Sequence, residues 1–270
     1  MYKKYVDECD VILDLKRPII GVQFLFIKEE YDDINAEELY PKSSFCSLIS
    51  KAMKGKKVIK ADKDSFGCQG GPEMLGMKPV SNFVRSGRQF KEFGLYADLA
   101  VARQAQNDLC FIEQKIYGVA AGPLEMLEDA DVVLFLANPW QIMRVMQGYT
   151  FYHGMAKNLG MIGNQGICAD LTSRPYFMND MNISVLCMGA RLHLQAEDWE
   201  MGVGMPAHLF EDIVKGLKET LNMATDEKRK KELIRRMEEK EAVDLSVEYG
   251  EIYMGYSKKM KYPEELYKKL

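Results

Sequence analysis

Several common signatures are missing from this chain of 270 residues. Its six cysteines include no Cys-x-x-Cys spacing, the spacing that zinc ribbons and ferredoxin-type clusters usually show. The three histidines, His153, His193 and His208, lie far apart and are more typical of packed or surface side chains than of a metal site. No nucleophile elbow, zinc-protease or kinase signature occurs. These absences exclude the commonest hydrolase, kinase and zinc-module assignments.

An excess of positive charge and a long apolar run are also missing. The net charge is −4, which gives no general attraction to nucleic acid or to an anionic membrane. The longest apolar run, residues 18–27, is half the length of a membrane span. Acidic residues stand where a signal peptide would have its apolar core. We therefore expect a cytoplasmic protein whose thiols stay reduced, as free thiols or as metal ligands.

The order of predicted elements indicates an α/β protein. Two apolar, β-rich runs, residues 18–27 and 131–137, are typical of strands buried on both faces. Helices are predicted over residues 1–17, after Ser44, and over residues 98–109 and 141–157. The alternation of apolar and polar side chains in residues 192–196 favours a strand or a sheet edge.

Two cysteine-containing units are the centre of this organisation. Cys46 and Cys168 each begin a segment of helical type. Cys68 follows Cys46, and Cys187 follows Cys168, at similar spacings, and each of these second cysteines precedes a glycine turn. A Gly-Val strand with a proline turn follows each unit, at residues 117–129 and 201–212.

This doubled order predicts two pseudo-repeated α/β halves packed as one unit, with a C-terminal helical extension. The first half is residues 1–129, with a helical insert at about residues 72–110. The second half is residues 130–215. Residues 216–270 are predicted to be a charged helix and a tail without a counterpart in either half. The alternative is a pair of unrelated α/β stretches.

The positions of the four paired cysteines are typical of thiolate chemistry. Free N–H groups and the dipole at a helix start lower a thiol pKa, and the thiolate is the form that ligates metal. Cys46, Cys68, Cys168 and Cys187 are therefore candidate metal ligands. An iron–sulfur cluster of the [4Fe–4S] type is the favoured cofactor, because four cysteines suit it. Zinc, a reactive thiol and simple burial remain alternatives, and we assign Cys9 and Cys110 to packing.

Glycines and an arginine around these cysteines are candidates for contacts with a cofactor. Gly70, Gly71 and Gly189 would let the backbone approach a ligand closely. Arg191, which follows Cys187 by one helical turn, could bind an anionic ligand. A substrate beside the cluster is expected near these residues and Trp140.

These residues resemble a known family. Cys46 with Gly55, then Cys68-Gln69-Gly70-Gly71, is similar to the first half of the DUF169 family. Residues 139–141, 166–169, 186–191 and 200–206 are similar to its second half. The resemblance covers about residues 15–215. The family is found in anaerobic bacteria and archaea and is largely uncharacterised, so the resemblance implies the four cysteine positions but no reaction.

The sequence leaves three functions open. The first is a cluster-dependent enzyme of anaerobic metabolism, an oxidoreductase or lyase, acting on a small molecule. The second is a non-catalytic protein that binds a metal, a cluster or a small anion. The third is a thiol enzyme that uses Cys68. We expect a small-molecule substrate or a redox partner protein, no nucleic acid and no membrane; a homo-oligomer stays open. If the four cysteines ligate one cluster, their sulfur atoms must lie within a few ångströms of one another.

Overall fold

A computed structural model describes residues 2–221 and 226–239 of the chain. It is a mixed α/β fold built on one seven-stranded sheet, in the order β2-β3-β4-β1-β5-β7-β6. All neighbouring strands are antiparallel except β2 and β3. The strands are β1 Ile20–Leu25, β2 Glu37–Glu38, β3 Ile59–Asp62, β4 Gly118–Pro123, β5 Val132–Ala137, β6 Asn182–Ser184 and β7 Met201–Pro206.

The helices cover both faces of this sheet. In chain order they are α1 Lys3–Leu13, α2 Lys28–Asp33, α3 Phe45–Gly55, α4 Gly70–Met74, α5 Asn82–Arg85, α6 Arg88–Glu92, α7 Leu99–Asn107, α8 Pro139–His153, α9 Arg174–Met178, α10 Met188–Leu194, α11 Ala207–Glu219 and α12 Glu227–Glu239. A π-helix, Gly166–Ser173, runs directly into α9, and a short 3₁₀ turn, Leu124–Met126, follows β4. No helix among the described residues is long and apolar enough to cross a membrane.

The central strands are buried on both sides, as their continuous apolar sequence predicts. In β5, Val132 and Leu134 pack in one apolar layer, whereas Val133 and Phe135 pack in the other. This alternation follows from the two-residue period of a strand. The sheet therefore separates two cores, one on each face.

One core lies under α1, α8 and α11, and we call this side of the sheet the helical face. Long amphipathic helices form it, and α8 begins with a complete capping box between Asn138 and Gln141. The helices α8 and α11 touch at their glycines, because a Cβ at Gly216 would lie only 2.1 Å from the Gly148 carbonyl oxygen. The face is thus closed by direct helix–helix contact.

The other core lies under α3, the π-helix and α10, and we call this side the cysteine face. The π-helix lies directly on β7: a Cβ at Gly204 would meet the Leu171 carbonyl oxygen at 2.2 Å. Only a residue without a side chain allows that approach. This contact places the π-helix against the strand pair of β6 and β7.

The strand pairing has the same pattern on both sides of the sheet centre. The central strands β1 and β5 pair with each other, and outward from them lie β4 then β3 on one side and β7 then β6 on the other. Ile20 of β1 lies opposite Pro123 of β4, and Val132 of β5 lies opposite Pro206 of β7. All seven strands belong to one sheet.

Two expectations about local structure need revision. Residues 192–196 were predicted as a strand or edge, but residues 192–194 form the end of α10 and residues 195–196 follow it. Their alternation was misleading because Leu194 faces the core while Leu192 is 72% exposed. Of the predicted extension, residues 216–221 belong to α11 and its end and residues 227–239 form α12, whereas residues 222–225 and 240–270 lie outside the described residues.

Candidate metal centre

Cys46 occupies the first turn of α3. The helix begins after Ser44, whose hydroxyl oxygen accepts a hydrogen bond from the Ser47 N–H at 3.1 Å. This cap places Cys46 at the second helical position, where backbone N–H groups have no partner within the helix. The side chain is 8% exposed. The Ser47 hydroxyl also contacts Nδ1 of His193 on α10 at 3.0 Å, so α3 and α10 are tied together beside the cysteine.

Cys187 is itself the cap of α10. Its Sγ accepts a hydrogen bond from the Ala190 N–H at 3.4 Å, and the Gly189 and Gly166 N–H groups also donate to it. The approach of Gly166 depends on its missing side chain, since a Cβ there would lie 2.8 Å from the Cys187 nitrogen. The sulfur therefore lies among three backbone donors from two segments.

The remaining two cysteines are held by neighbouring glycine and helix geometry. Cys168 is the third residue of the π-helix, a rare form that is frequent at functional sites. Cys68 lies two residues before α4, and a Cβ at Gly71 would meet its Sγ at 3.3 Å and the Phe45 Cβ at 3.1 Å. Gly71 thus allows the Cys68 turn to pack against the start of α3.

The four thiols share one site although Cys46 and Cys187 are distant in the chain. The Cys46 thiol is hydrogen-bonded to the Cys187 sulfur, and it interacts electrostatically with Cys168 and Cys68 as well. Cys168 in turn interacts with Cys187 and Cys68. Four segments, each at or beside the start of a helical turn, therefore place their sulfurs within electrostatic reach of one another.

The electrostatics of the site favour one thiolate and oppose further ones. The hydrogen bond from the Cys46 thiol, supported by the backbone N–H groups and opposed by burial, lowers the pKa of Cys187 to about 5. The same hydrogen bond and burial raise the pKa of Cys46, and burial followed by the charges of Cys187 and Cys68 raises the pKa of Cys168. A cationic centre would remove this mutual repulsion.

A carboxyl group that sequence reasoning did not select lies next to the site. Asp170 is 2% exposed and accepts a hydrogen bond from the Ser184 hydroxyl at 2.6 Å. Burial raises its pKa to about 7, although the Ser184 hydrogen bond opposes the shift. Its place two residues after Cys168 was the available signal, but a single Asp in a helical segment is usually exposed.

The predicted cofactor-contact residues have different environments. Gly71 and Gly189 adjoin Cys68 and Cys187, and nothing lies within 4 Å of a Cβ built at Gly189, so the site is open there. Gly70 faces the Gln165 amide, whose buried Oε1 has no hydrogen-bond partner. The Arg191 guanidinium donates to three backbone carbonyls, those of Val185, Glu197 and Glu200.

Trp140 is not part of this site, contrary to expectation. It follows Pro139 at the start of α8, whose apolar side belongs to the helical face. The Arg229 guanidinium of α12 stacks over its ring at 3.4 Å. The tryptophan therefore joins α8 to α12 on the side of the sheet away from the cysteines.

Cys9, Cys110 and His153 lie outside the four-cysteine site. All six cysteines are free thiols. Cys9 is 1% exposed within the helical face, and Cys110 is 7% exposed near Arg174. His153 lies 3.5 Å from the Asp212 carboxylate on α11. Within the described residues, no group of three or more His, Cys, Asp or Glu side chains is arranged to hold a single metal ion.

Fold and site together define a mixed α/β protein that gathers four cysteines at helix starts on one face of its sheet. The chain belongs to the DUF169 family: the family model, described as an uncharacterised ArCR, matches residues 10–216. It is also similar to an uncharacterized protein, MJ0308, of Methanocaldococcus jannaschii. The two are 24% identical over 208 residues, which cover 76% of this chain and 89% of the relative. No solved structure matches the chain.

Proposed function

We propose that this protein holds an iron–sulfur cluster on Cys46, Cys68, Cys168 and Cys187. The observation that supports the proposal is the electrostatic interaction among four cysteines from four separate segments, two of which are hydrogen-bonded to each other. Backbone N–H groups around Cys187 supply the hydrogen bonds that stabilise and tune a thiolate-bound anionic cluster. Six free cysteines also favour a reducing compartment, and we propose the cytoplasm.

The arrangement of the thiols favours a cluster over a zinc ion. Four thiolates on one zinc, each about 2.3 Å from the metal, would have sulfurs about 3.8 Å apart. A cluster spreads its cysteines over several irons, so cysteines from four separate segments need not surround one ion. A four-iron cluster is therefore the cofactor that we propose.

The test is anaerobic purification of the full chain, followed by a visible spectrum and assays of iron and sulfide. We expect a coloured protein with about four irons and four sulfides per chain. Cys→Ser variants at positions 46, 68, 168 and 187 should lose most of this iron. Cys9→Ser and Cys110→Ser are matched controls and should keep it. A folded chain that stays iron-free after reconstitution with iron and sulfide would contradict the proposal.

We further propose that the cluster acts on a small molecule, as a redox or lyase centre. Cys68, Cys168 and Cys187 are partly exposed, and the open space at Gly189 is beside Cys187, which supports access from solvent. If one of the four cysteines is displaced from its iron or does not hold one, that iron has an open position, which would bind cyanide and change the electron paramagnetic resonance spectrum. An unchanged spectrum, with all four cysteines required for full occupancy, would instead favour electron transfer or a non-catalytic role.

A metal-independent thiol reaction is the remaining alternative. If the folded, iron-free chain has one cysteine that alkylates much faster than the other five, a thiol enzyme is favoured. Mass spectrometry of the alkylated peptides would identify that cysteine, with Cys68 the residue predicted from sequence.

We also propose that the two halves of the sheet arose by duplication. A duplication would make Ile20 of β1 and Val132 of β5 equivalent residues. Each of them lies opposite a proline at the end of the neighbouring strand, Pro123 for Ile20 and Pro206 for Val132. The pairing of β3 with β4 and that of β6 with β7 agree with the same equivalence. Superposition of residues 18–129 on 131–212 in an experimental structure tests it; halves with different strand connections would contradict it.

A further inference from the structure

A cavity lies beside the π-helix, at the residues that directly follow Cys168. It is a cleft of about 270 Å³ between the end of α7 and the start of α9. Its walls include Cys110, Gly160, Ala169, Asp170 and Arg174. The volume equals that of about nine waters at roughly 30 Å³ each, so any ligand is small.

One part of the wall presents a guanidinium group in a defined orientation. Arg174 donates from Nε and Nη2 to the Asn158 carbonyl oxygen at 3.2 and 2.8 Å, and Nη1 lies 3.6 Å from the Cys110 Sγ. The group packs against Gly160, since a Cβ there would be 2.8 Å from the Arg174 Cζ. Its orientation is therefore set by the protein before any ligand binds.

This guanidinium has N–H groups that remain available to donate hydrogen bonds to a ligand. Of its five N–H groups, three make the contacts just described, which leaves two. The arginines that form ion pairs among the described residues are Arg17, Arg88, Arg235 and Arg236. Arg174 is not among them: in the part of the chain that the structure describes, no carboxylate lies within 4.0 Å of it, although its charge interacts with Asp170 from a greater distance.

Another part of the wall presents hydrogen-bond acceptors. Asp170 lines the cleft and is 2% exposed. It accepts from the Ser184 hydroxyl at 2.6 Å and from the Ile162 N–H. Its ionised form has about four lone-pair sites, two more than these donors use.

We propose that this cleft binds a small carboxylic acid that carries an amino or hydroxyl group. The ligand carboxylate would accept the two free Arg174 N–H bonds, a geometry that guanidinium groups favour. The amino or hydroxyl group would donate to Asp170. Ala169 lines the cleft and directly follows Cys168 in the chain, so the proposed ligand site adjoins the cysteine site. The inference does not depend on the presence of a cluster.

Calorimetric titration of the full chain with four probes tests the ligand class. Glycine and glycolate carry both groups, acetate carries only the carboxylate, and glycinamide carries only the amine. We expect glycine or glycolate to bind, acetate to bind about tenfold more weakly because one charge-assisted hydrogen bond is lost, and glycinamide not to bind. Failure of all four to bind at millimolar concentration would overturn the proposal, as would equal binding of acetate and glycinamide.

Two variants test the assigned residues. Arg174→Gln removes the charge, and Gly160→Ala displaces the guanidinium without removing it; each should weaken binding at least tenfold. Arg103→Gln, at an exposed position on α7, is the charge-matched control and should bind as the parent does. Circular dichroism checks that each variant is folded. If Arg174→Gln does not fold, the binding measured with Gly160→Ala tests the role of the guanidinium. Unchanged binding in a folded variant of either kind would overturn the assignment.

Discussion

The helical and cysteine faces of the sheet are built in different ways. The helical face is covered by α1, α8 and α11, which contain 11, 15 and 13 residues. The cysteine face is covered by α3, an eight-residue π-helix and the seven-residue α10. The three elements of the cysteine face each carry a cysteine in or directly before the first turn, where helix starts present unpaired N–H groups. One face thus supplies stability and the other supplies a polar site within an apolar layer.

The comparison also shows where charge is tolerated. On the helical face, Lys218 and Glu8 form an ion pair at 3.1 Å with side chains 8% and 1% exposed. On the cysteine face, the grouped thiols repel further negative charge. On the first face, the buried charges of Glu8 and Lys218 are paired within the protein. The second is complementary to a positive centre from outside the chain.

The largest effect is expected when the ion pair of the helical face is broken. Lys218→Met leaves the Glu8 carboxylate buried without that partner and should lower the free energy of unfolding by about 3–5 kcal/mol. Urea unfolding measures the loss. The double variant Glu8→Gln with Lys218→Met should recover most of it, and Lys215→Met, at an exposed position on the same helix, should change stability by about 0.5 kcal/mol or less. A loss below about 1 kcal/mol for Lys218→Met would contradict this account.

A slightly smaller loss is expected at the helix–helix contact of the same face. Gly216→Ala places a methyl group against the Gly148 carbonyl, so α8 and α11 must separate. We expect about 3 kcal/mol of destabilisation, the upper part of the range for overpacking. Gly67→Ala, where the nearest atoms are 3.9 Å away, is the control. If the two faces are independent, folded Gly216→Ala protein keeps its iron.

The corresponding change on the cysteine face should separate iron content from stability. Gly166→Ala pushes the start of the π-helix away from Cys187 and should cost about 1–2 kcal/mol. The N–H donor to the Cys187 sulfur is displaced, so we expect iron per folded chain to fall well below that of Gly216→Ala. Equal iron content in Gly166→Ala and Gly216→Ala would show that a change on the cysteine face affects iron binding no more than a change on the helical face.

The smallest effect is a pH dependence at Asp131, just before β5. Its carboxylate accepts from the Phe24 N–H at 2.7 Å, but burial raises its pKa to about 6 from an unfolded value near 3.8. The folded state therefore binds more protons between these values, and the free energy of unfolding falls as pH rises from about 4 to 6. Because the side chain is partly solvated, we expect about 1 kcal/mol.

Asp131→Asn isolates this contribution. The amide oxygen can still accept the Phe24 N–H, but it does not titrate in this range. Urea unfolding of both proteins at pH 4, 5, 6 and 7 should show a smaller decline for the variant. Identical declines would remove Asp131 as the cause.

Much of the fold followed from local pattern. The runs around Ile20 and Val132 predicted buried strands because continuous apolar sequence requires burial on both faces. Ser44 marked the start of the helix that carries Cys46, because a capping hydroxyl is a local signal. The family resemblance is confirmed by the match over residues 10–216. The candidate ligands Cys46, Cys68, Cys168 and Cys187 were also selected from sequence, by their spacing and their glycine neighbours.

What only the tertiary structure decided was which distant residues meet. The strand order puts β1 beside β5, and the π-helix lies on β7; this packing brings Cys46 to Cys187 from opposite halves of the chain. It also put Trp140 on the other face and brought Arg174 within electrostatic reach of Asp170. Local periodicity specifies which side of an element is buried, whereas the neighbours on that side depend on sheet order, which no local signal encodes.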